Sequence, residues 1–145
     1  DHIGNVDLFP KSTLLIQKAE IDFAFAEGKT PPFKKDRPTQ ALAGDLDVFG
    51  DGSAVIVSTP GHTPGHQCLM VRLPKTGYVI LSGDLAHFKD NWDSKRVPSM
   101  NTSADQTQAS FKKIEALMTE KKAQFWINHD KPSSVAMKRS PQFYD

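Results

Sequence analysis

"SAVIVSTPGHTPGHQCLMVRLPKTGYVILSGD", residues 53–84, decides how this chain folds. It holds three apolar stretches, "SAVIVSTPGH", "QCLMVRL" and "GYVILSGD", too short for helices and rich in β-branched side chains, and these read as buried strands, the first leaving into a tight turn. They are joined through "TPGHTPG" and "PKTG", whose prolines and glycines forbid a helix and mark turns. The stretch is therefore expected to form hairpin-linked, antiparallel strands. The first run ends in a turn carrying His62 and His66, and the third runs directly into Asp84.

Upstream, "STLLIQ" at 12–17 reads as a short buried strand and residues 18–27 as a helix that stops at Gly28. Residues 29–45, "KTPPFKKDRPTQALAGD", contain three prolines and no period, so they are expected to form a surface excursion. "DLDVFGDG" then reads as a strand ending in a Gly-Asp-Gly turn. Downstream, Ser103 followed three residues later by Gln106 is a capping-box pattern. Phe111, Ile114, Leu117 and Met118 fall on one face of the helix it starts. "AQFWINHD" reads as a last short strand delivering His129 to a loop, followed by an irregular or helical tail.

With 145 residues, 38% hydrophobic and 24% charged, the chain has the composition of a soluble protein with one core, or part of one. Lys plus Arg come to 18 and Asp plus Glu to 17, a net charge of +1 with no single-sign run, which points away from a nucleic-acid or membrane partner. Cys68 is the single cysteine, so no intramolecular disulfide can form. No apolar run approaches the roughly 20 residues of a membrane span. The compartment, cytoplasmic or periplasmic and secreted, is not legible.

Residues able to bind metal collect at strand ends: Asp1 and His2, His62 and His66, Asp84, and His129. Rigid sheets present ligands on one rim in this way. Taken singly each has a plain reading: a Gly-Asp turn, a solvated terminus, histidines bonded to their own turn. Taken together the junctions point to a metal site, and oxygen and imidazole donors without thiolate favour zinc, with manganese, iron or cobalt also accepted.

"DHIGN", "TPGHTPGHQ", "LSGDLAHF" and "FWINHD", in this order and spacing, resemble the metallo-β-lactamase superfamily, and within it the N-acyl homoserine lactonase group. The resemblance implies an αβ/βα sandwich, an α+β fold of which residues 1–145 would form a partial domain, roughly the second half. The family's His-x-His-x-Asp-His motif would be entered at its aspartate, with the N-terminal half absent. It implies two divalent metal ions, with zinc the first expectation. Asp1, His2 and His129 would serve one ion, Asp84 would bridge both, and His62 would serve the other with two upstream histidines. His66 would steady its turn, and Asp1 could carry a proton. The implied activity is opening of a lactone ring by a hydroxide held between the metals. The substrate is expected to be a small lactone or ester, and the chain to be a homo-oligomer or to be completed by the missing half.

Three residues past the bridging aspartate the lactonases commonly carry a tyrosine that contacts substrate; here His87 stands there, an expected catalytic contact or an exposed loop residue. Phe33, and Phe88 and Trp92 from the "HFKDNWD" loop, are expected to wall an acyl chain, the alternative for Phe88 and Trp92 being that they cap the core. The competing expectation is a non-catalytic half-domain that oligomerises or binds a partner around a single structural metal.

Overall fold

Strand alternation and one amphipathic helix build most of the molecule. The structure, a computed structural model, describes residues 2–145, so Asp1 lies outside the described residues. Five strands form the main sheet in chain order: β3 (Leu46–Asp47), β4 (Ala54–Ser58), β5 (Gln67–Leu73), β6 (Gly77–Leu81) and β7 (Gln124–Trp126). Two further strands, β1 (Leu14–Gln17) and β2 (Thr39–Leu42), pair separately and in parallel. In the main sheet β3 to β6 are antiparallel, with Val57 opposite Cys68 and Met70 opposite Ile80, and only β6 and β7 run parallel.

That one parallel pair positions the site. Its crossover is a long helix, so the C-terminal ends of β6 and β7, and the residues that follow them, reach the same edge.

Among the described residues the α-helices are α1 (Lys18–Ala24), α2 (Lys89–Ser94), α3 (Ala104–Lys121) and α4 (Lys131–Val135). Helix α3 starts as its sequence dictates, the Ser103 hydroxyl accepting the Gln106 N–H at 3.3 Å. Thr107, Ser110, Phe111 and Ile114 make its buried stripe. Phe111 and Ile114 lie over Val57, Cys68, Met70 and Ile80 of the sheet and form the main core with Leu85. Fully burying an aromatic ring such as Phe111, 1% exposed, contributes on the order of 2–3 kcal/mol. The helix ends at Lys122, whose left-handed conformation (φ 53°) lets its N–H reach the Met118 carbonyl.

A second cluster, Ile16, Ala24 and Phe33 with Ile3, Val6 and Ile21 against it, joins α1 and β1 to the N-terminal segment. Gln17 fastens this unit to the chain beyond it, its side chain donating to the Gly44 carbonyl at 2.8 Å and accepting the Gly44 N–H at 2.9 Å. Gln67 at the start of β5 donates to the Leu15 carbonyl at 3.0 Å.

The structure departs from the sequence reading in three places. The 29–45 excursion contains β2, which shows only Leu42 to the interior and so offers no alternation to read. It also contains two buried residues, Phe33 and Arg37. Helix α1 closes at Ala24 rather than at Glu27, because Phe25 leaves helical geometry and Gly28 turns the chain at φ 79°. The "HFKDNWD" stretch is not a loop but helix α2 after Phe88, and Trp92 on it packs against Phe111 and Phe125 at ring separations of 5.5 and 4.4 Å. No helix among the described residues is long and apolar enough to cross a membrane.

Candidate metal centre

Each junction at the sheet edge is held by its own hydrogen bonds. After β4, the chain doubles back at Pro60 to His66: the Thr59 N–H donates to the His66 carbonyl (2.9 Å) and the Gly61 N–H to the Thr63 carbonyl (3.0 Å). Helix α3 straps this turn down. The Ser103 and Thr102 N–H groups reach the carbonyls of Gly61 and His62 at 3.0 and 3.1 Å, and the Ser110 hydroxyl reaches Pro60 at 2.7 Å. From the other side, Glu20 of α1 accepts the Gly65 N–H at 2.9 Å.

After β6, Gly83 at φ 50° bends the chain into a 3-10 turn, Gly83–Leu85, that swings Asp84 inward until 4% of it is exposed. After β7, His129 follows Asn128, whose N–H donates to the Ser82 hydroxyl at 3.2 Å. Asp130 then caps α4 through the Ser133 N–H (3.0 Å) and accepts the Lys89 N–H at 3.1 Å. His2 arrives on the N-terminal segment, which Arg37 grips by donating to the carbonyls of Val6, Phe9 and Ser12 and to the Asp7 carboxylate.

These elements bring four imidazoles to one carboxylate. Asp84 Oδ1 lies 3.0 Å from His129 Nε2, and Oδ2 lies 3.1 Å from His2 Nε2, 3.4 Å from His62 Nε2 and 3.8 Å from His87 Nε2. His2 Nε2 and His129 Nε2 stand 3.2 Å apart. Burial alone would raise the Asp84 carboxyl, but His2, His62, His87 and His129 outweigh it and hold it below the ordinary carboxylate value.

The spacing tests whether a cation fits. Zinc bonds of about 2.0–2.1 Å in a tetrahedron put neighbouring donor atoms about 3.3 Å apart. The His2 and His129 Nε2 atoms, 3.2 Å apart, match that edge, and each lies 3.0–3.1 Å from one Asp84 oxygen, His129 from Oδ1 and His2 from Oδ2. Two groups of three meet the geometry loosely or closely, His2, Asp84 and His129, and His62, Asp84 and His87, and Asp84 belongs to both. Thiolate plays no part: burial pushes the Cys68 thiol up to about 12, and it donates to the Ser82 carbonyl at 3.1 Å.

His66 sits behind these residues. The Asp84 N–H donates to its Nε2 at 2.9 Å, and its Nδ1 lies 3.1 Å from the Thr59 carbonyl. Only the Nδ1–H tautomer satisfies both. Burial keeps the ring neutral by lowering its pKa to about 4. His66 thus fixes the backbone that aims Asp84.

Of the aromatic residues expected at the rim, Phe88 is there, 53% exposed beside His87 and His129. Phe33 is 6% exposed within the second cluster, and Trp92 is packed on the core, so neither offers much ring surface to a ligand. Two cavities border the imidazoles. One, of 280 Å³, is lined by His2, His62, Asp84, Ile16, Glu20 and Asn128, among others. The other, of 520 Å³, is lined mainly by His87, Phe88, Asn91, Pro98, Met100 and His129.

Asn101, Arg37 and Glu20 were not legible as contributors, because each acts through a partner 31 to 45 positions away. Asn101 has a direct consequence. Its carbonyl oxygen lies 3.3 Å from His62 Nδ1 and its amide donates to the Thr107 hydroxyl at 3.0 Å, which leaves His62 Nε2 facing Asp84. Asn101→Ala should weaken metal binding at the His62 group by about 10–100-fold, the usual cost of losing a ligand's outer hydrogen bond, and leave the His2 group nearly unchanged. Chelator competition measured ion by ion checks it.

Comparison with known proteins places the geometry in context. No protein-family model matches the chain. It is 35% identical over 157 residues to the N-acyl homoserine lactonase AttM of Azorhizobium caulinodans, covering 100% of this chain and 60% of that protein. It is 25% identical over 150 residues to an N-acyl homoserine lactonase of Bacillus cereus, covering 99% of this chain and 57% of the other. The chain thus spans about 60% of the length of the curated relatives it matches. Among solved structures, an AiiA variant from B. thuringiensis with N-decanoyl-L-homoserine bound at its active site superposes with a TM-score of 0.89. The identity there is 23%, over 100% of this chain and 57% of that one. AidC, a dizinc quorum-quenching lactonase in complex with a product, superposes with a TM-score of 0.62 and 18% identity, over 86% of this chain and 50% of that one.

Proposed function

We propose that this chain, which has the metallo-β-lactamase fold and is related along its whole length to the N-acyl homoserine lactonases, carries the metal-binding edge of a hydrolase that opens the ring of N-acyl homoserine lactones or kindred lactones and esters. One observation supports this above the others: a nearly buried carboxylate, Asp84, met by four imidazoles.

Two divalent cations, zinc in first place, would supply when bound a Lewis acid for the carbonyl oxygen and a water acidic enough to attack near neutral pH. His2, Asp84 and His129 would hold one of them, and His62 and Asp84 would contribute to the other. In the reaction a water oxygen bonds to the lactone carbonyl carbon, the ring C–O bond to that carbon breaks, and the freed alkoxide takes a proton. Asp84 has both oxygens directed at imidazoles, so the proton would travel on Asp1, the aspartate in front of His2. The cleft of Phe88, Pro98 and Met100 beside His87 and His129 would receive the acyl chain, since Phe88 and Met100 are 53% and 69% exposed there. Completion of the site by an N-terminal half or by a second copy of the chain belongs to the same reading.

The test is proton release from an N-acyl homoserine lactone at pH 7 by the polypeptide in its natural length, before and after chelation. Activity lost to chelator and restored by Zn²⁺ is the expected result. Hydrolysis of a β-lactam or a phosphodiester in place of the lactone would move the substrate. Absence of any hydrolysis by a zinc-loaded preparation would leave the non-catalytic half-domain standing.

A further inference from the structure

We propose that His87 is a metal ligand, the third member of a site made with His62 and Asp84 and distinct from that of His2, Asp84 and His129. This rests on the metal-dependent reading above and departs from the role of substrate contact that the sequence resemblance implied for residue 87.

The argument starts from the backbone. The 3-10 turn at Gly83–Leu85 gives way at Ala86 to extended geometry (φ −139°, ψ 127°), and the next residue, His87, turns its ring back over the turn. Its Nε2 comes to 3.8 Å from Asp84 Oδ2, the oxygen that also lies 3.4 Å from His62 Nε2. One donor atom from each of the three residues lies within 4.8 Å of the others, a span that a cation closes by drawing each inward by a fraction of an ångström.

The surroundings of the ring carry the inference further. The side chain of His87 is only 15% exposed, and its ring meets two other candidate ligands: His62 at 5.6 Å edge-on and His129 at 5.3 Å, stacked within 17°. Its Nδ1 is buried without a hydrogen-bond partner. With Nδ1 turned away from polar groups, Nε2 is the ring nitrogen presented to Asp84.

His87 would be a further ligand beside His62, Asp84 and the upstream histidines that the resemblance implies, and it would set the affinity and coordination number of that cation rather than touch the lactone. The 520 Å³ cleft is lined by His87 and His129 alike, so both groups of donors border it.

The experiment is a Co²⁺ titration of the metal-stripped polypeptide in its natural length, wild type against His87→Phe and His87→Gln, read by equivalents bound and by the visible d–d absorption of the bound Co²⁺. Wild type should take two equivalents. Each variant should keep one with its wild-type affinity, which also reports that the fold is intact, and bind the other at least tenfold more weakly with altered bands. Variants that retain both equivalents with unchanged affinity and spectra overturn the proposal, all the more if turnover falls, since His87 would then contact substrate. Loss of both equivalents from either variant with native circular dichroism also overturns it, because the two sites would not be separate. A wild type that binds no Co²⁺ tightly would instead strike at the metal-hydrolase reading itself.

Discussion

Asp84→Asn should weaken both metal sites at once and lower kcat/KM for lactone opening by more than about 100-fold, beyond what the loss of an outer hydrogen bond to a ligand costs. The carboxylate uses both oxygens, Oδ1 toward His129 and Oδ2 toward His2, His62 and His87. An amide of the same shape keeps one acceptor oxygen, turns the other position into a donor aimed at imidazole nitrogens, and carries no charge to offset a cation. Fold should survive, because the bond from residue 84 to His66 is made by the backbone N–H and is indifferent to the side chain. Metal analysis and kinetics on the same preparation check both halves. A variant that holds two equivalents as tightly as wild type would show that Asp84 is not shared between the sites.

The second large effect lies away from the ligands. At Gly61 a Cβ would stand 2.5 Å from the Thr107 nitrogen and 2.7 Å from its Cα, and the residue is at φ +141°. Backbone at a helix start cannot step aside as the tip of a side chain can. Overpacking of about 1–3 kcal/mol and backbone strain of similar size together make Gly61→Ala cost about 3 kcal/mol, with His62 displaced in the same movement. Denaturant unfolding should show the loss directly, and metal affinity at the His62 group should fall with it. Gly4→Ala, where a Cβ meets nothing within 4 Å and no positive φ is involved, is the matched control and should change stability by less than about 0.5 kcal/mol. Equal effects at the two positions would sink the close-approach argument.

What was legible in the chain depended on whether a residue's reason for being there was local. Strands β4 to β6 and helix α3 each contain a complete period of their own, and the turn and capping residues between them agree with it, so their order and type follow from residues 53–84 and 103–118 directly. Strand β2 earns its place only by pairing with β1, through a run whose first three residues are exposed, and no window of sequence shows that. Trp92, in a stretch read as a loop beside the metal edge, could wall the rim or cap the core; helix α2 turns it onto Phe111 and Phe125, the second of these.

The candidate site divides the same way. His62, Asp84 and His129 announce themselves by standing at strand ends, and His2 by its place in "DHIGN". The groups that aim them, Asn101 behind His62, His66 behind Asp84 and Arg37 beneath the His2 segment, work across 18 to 39 positions of chain. His87 was singled out in the sequence, but its role there could only be inferred from a resemblance. Its distance to Asp84 Oδ2, and its unpaired Nδ1, are facts of the folded chain.

The meeting of His2 and His129, 127 positions apart, has a meaning for folding as well as for chemistry. A cation shared by these two residues is a removable crosslink closing residues 2–129 into one ring. Loop-closure entropy for a ring of that size amounts to about 4 kcal/mol on the (3/2)RT ln n scale, a cost that the folded chain has already met and the unfolded chain has not. An ion that finds the pair assembled is therefore bound more tightly by the amount the fold has prepaid, and one that leaves gives the N-terminal segment back its freedom first. Stripping the metal should thus be felt as fraying that begins at the His2 segment and Arg37, well before the sheet under α3 loosens.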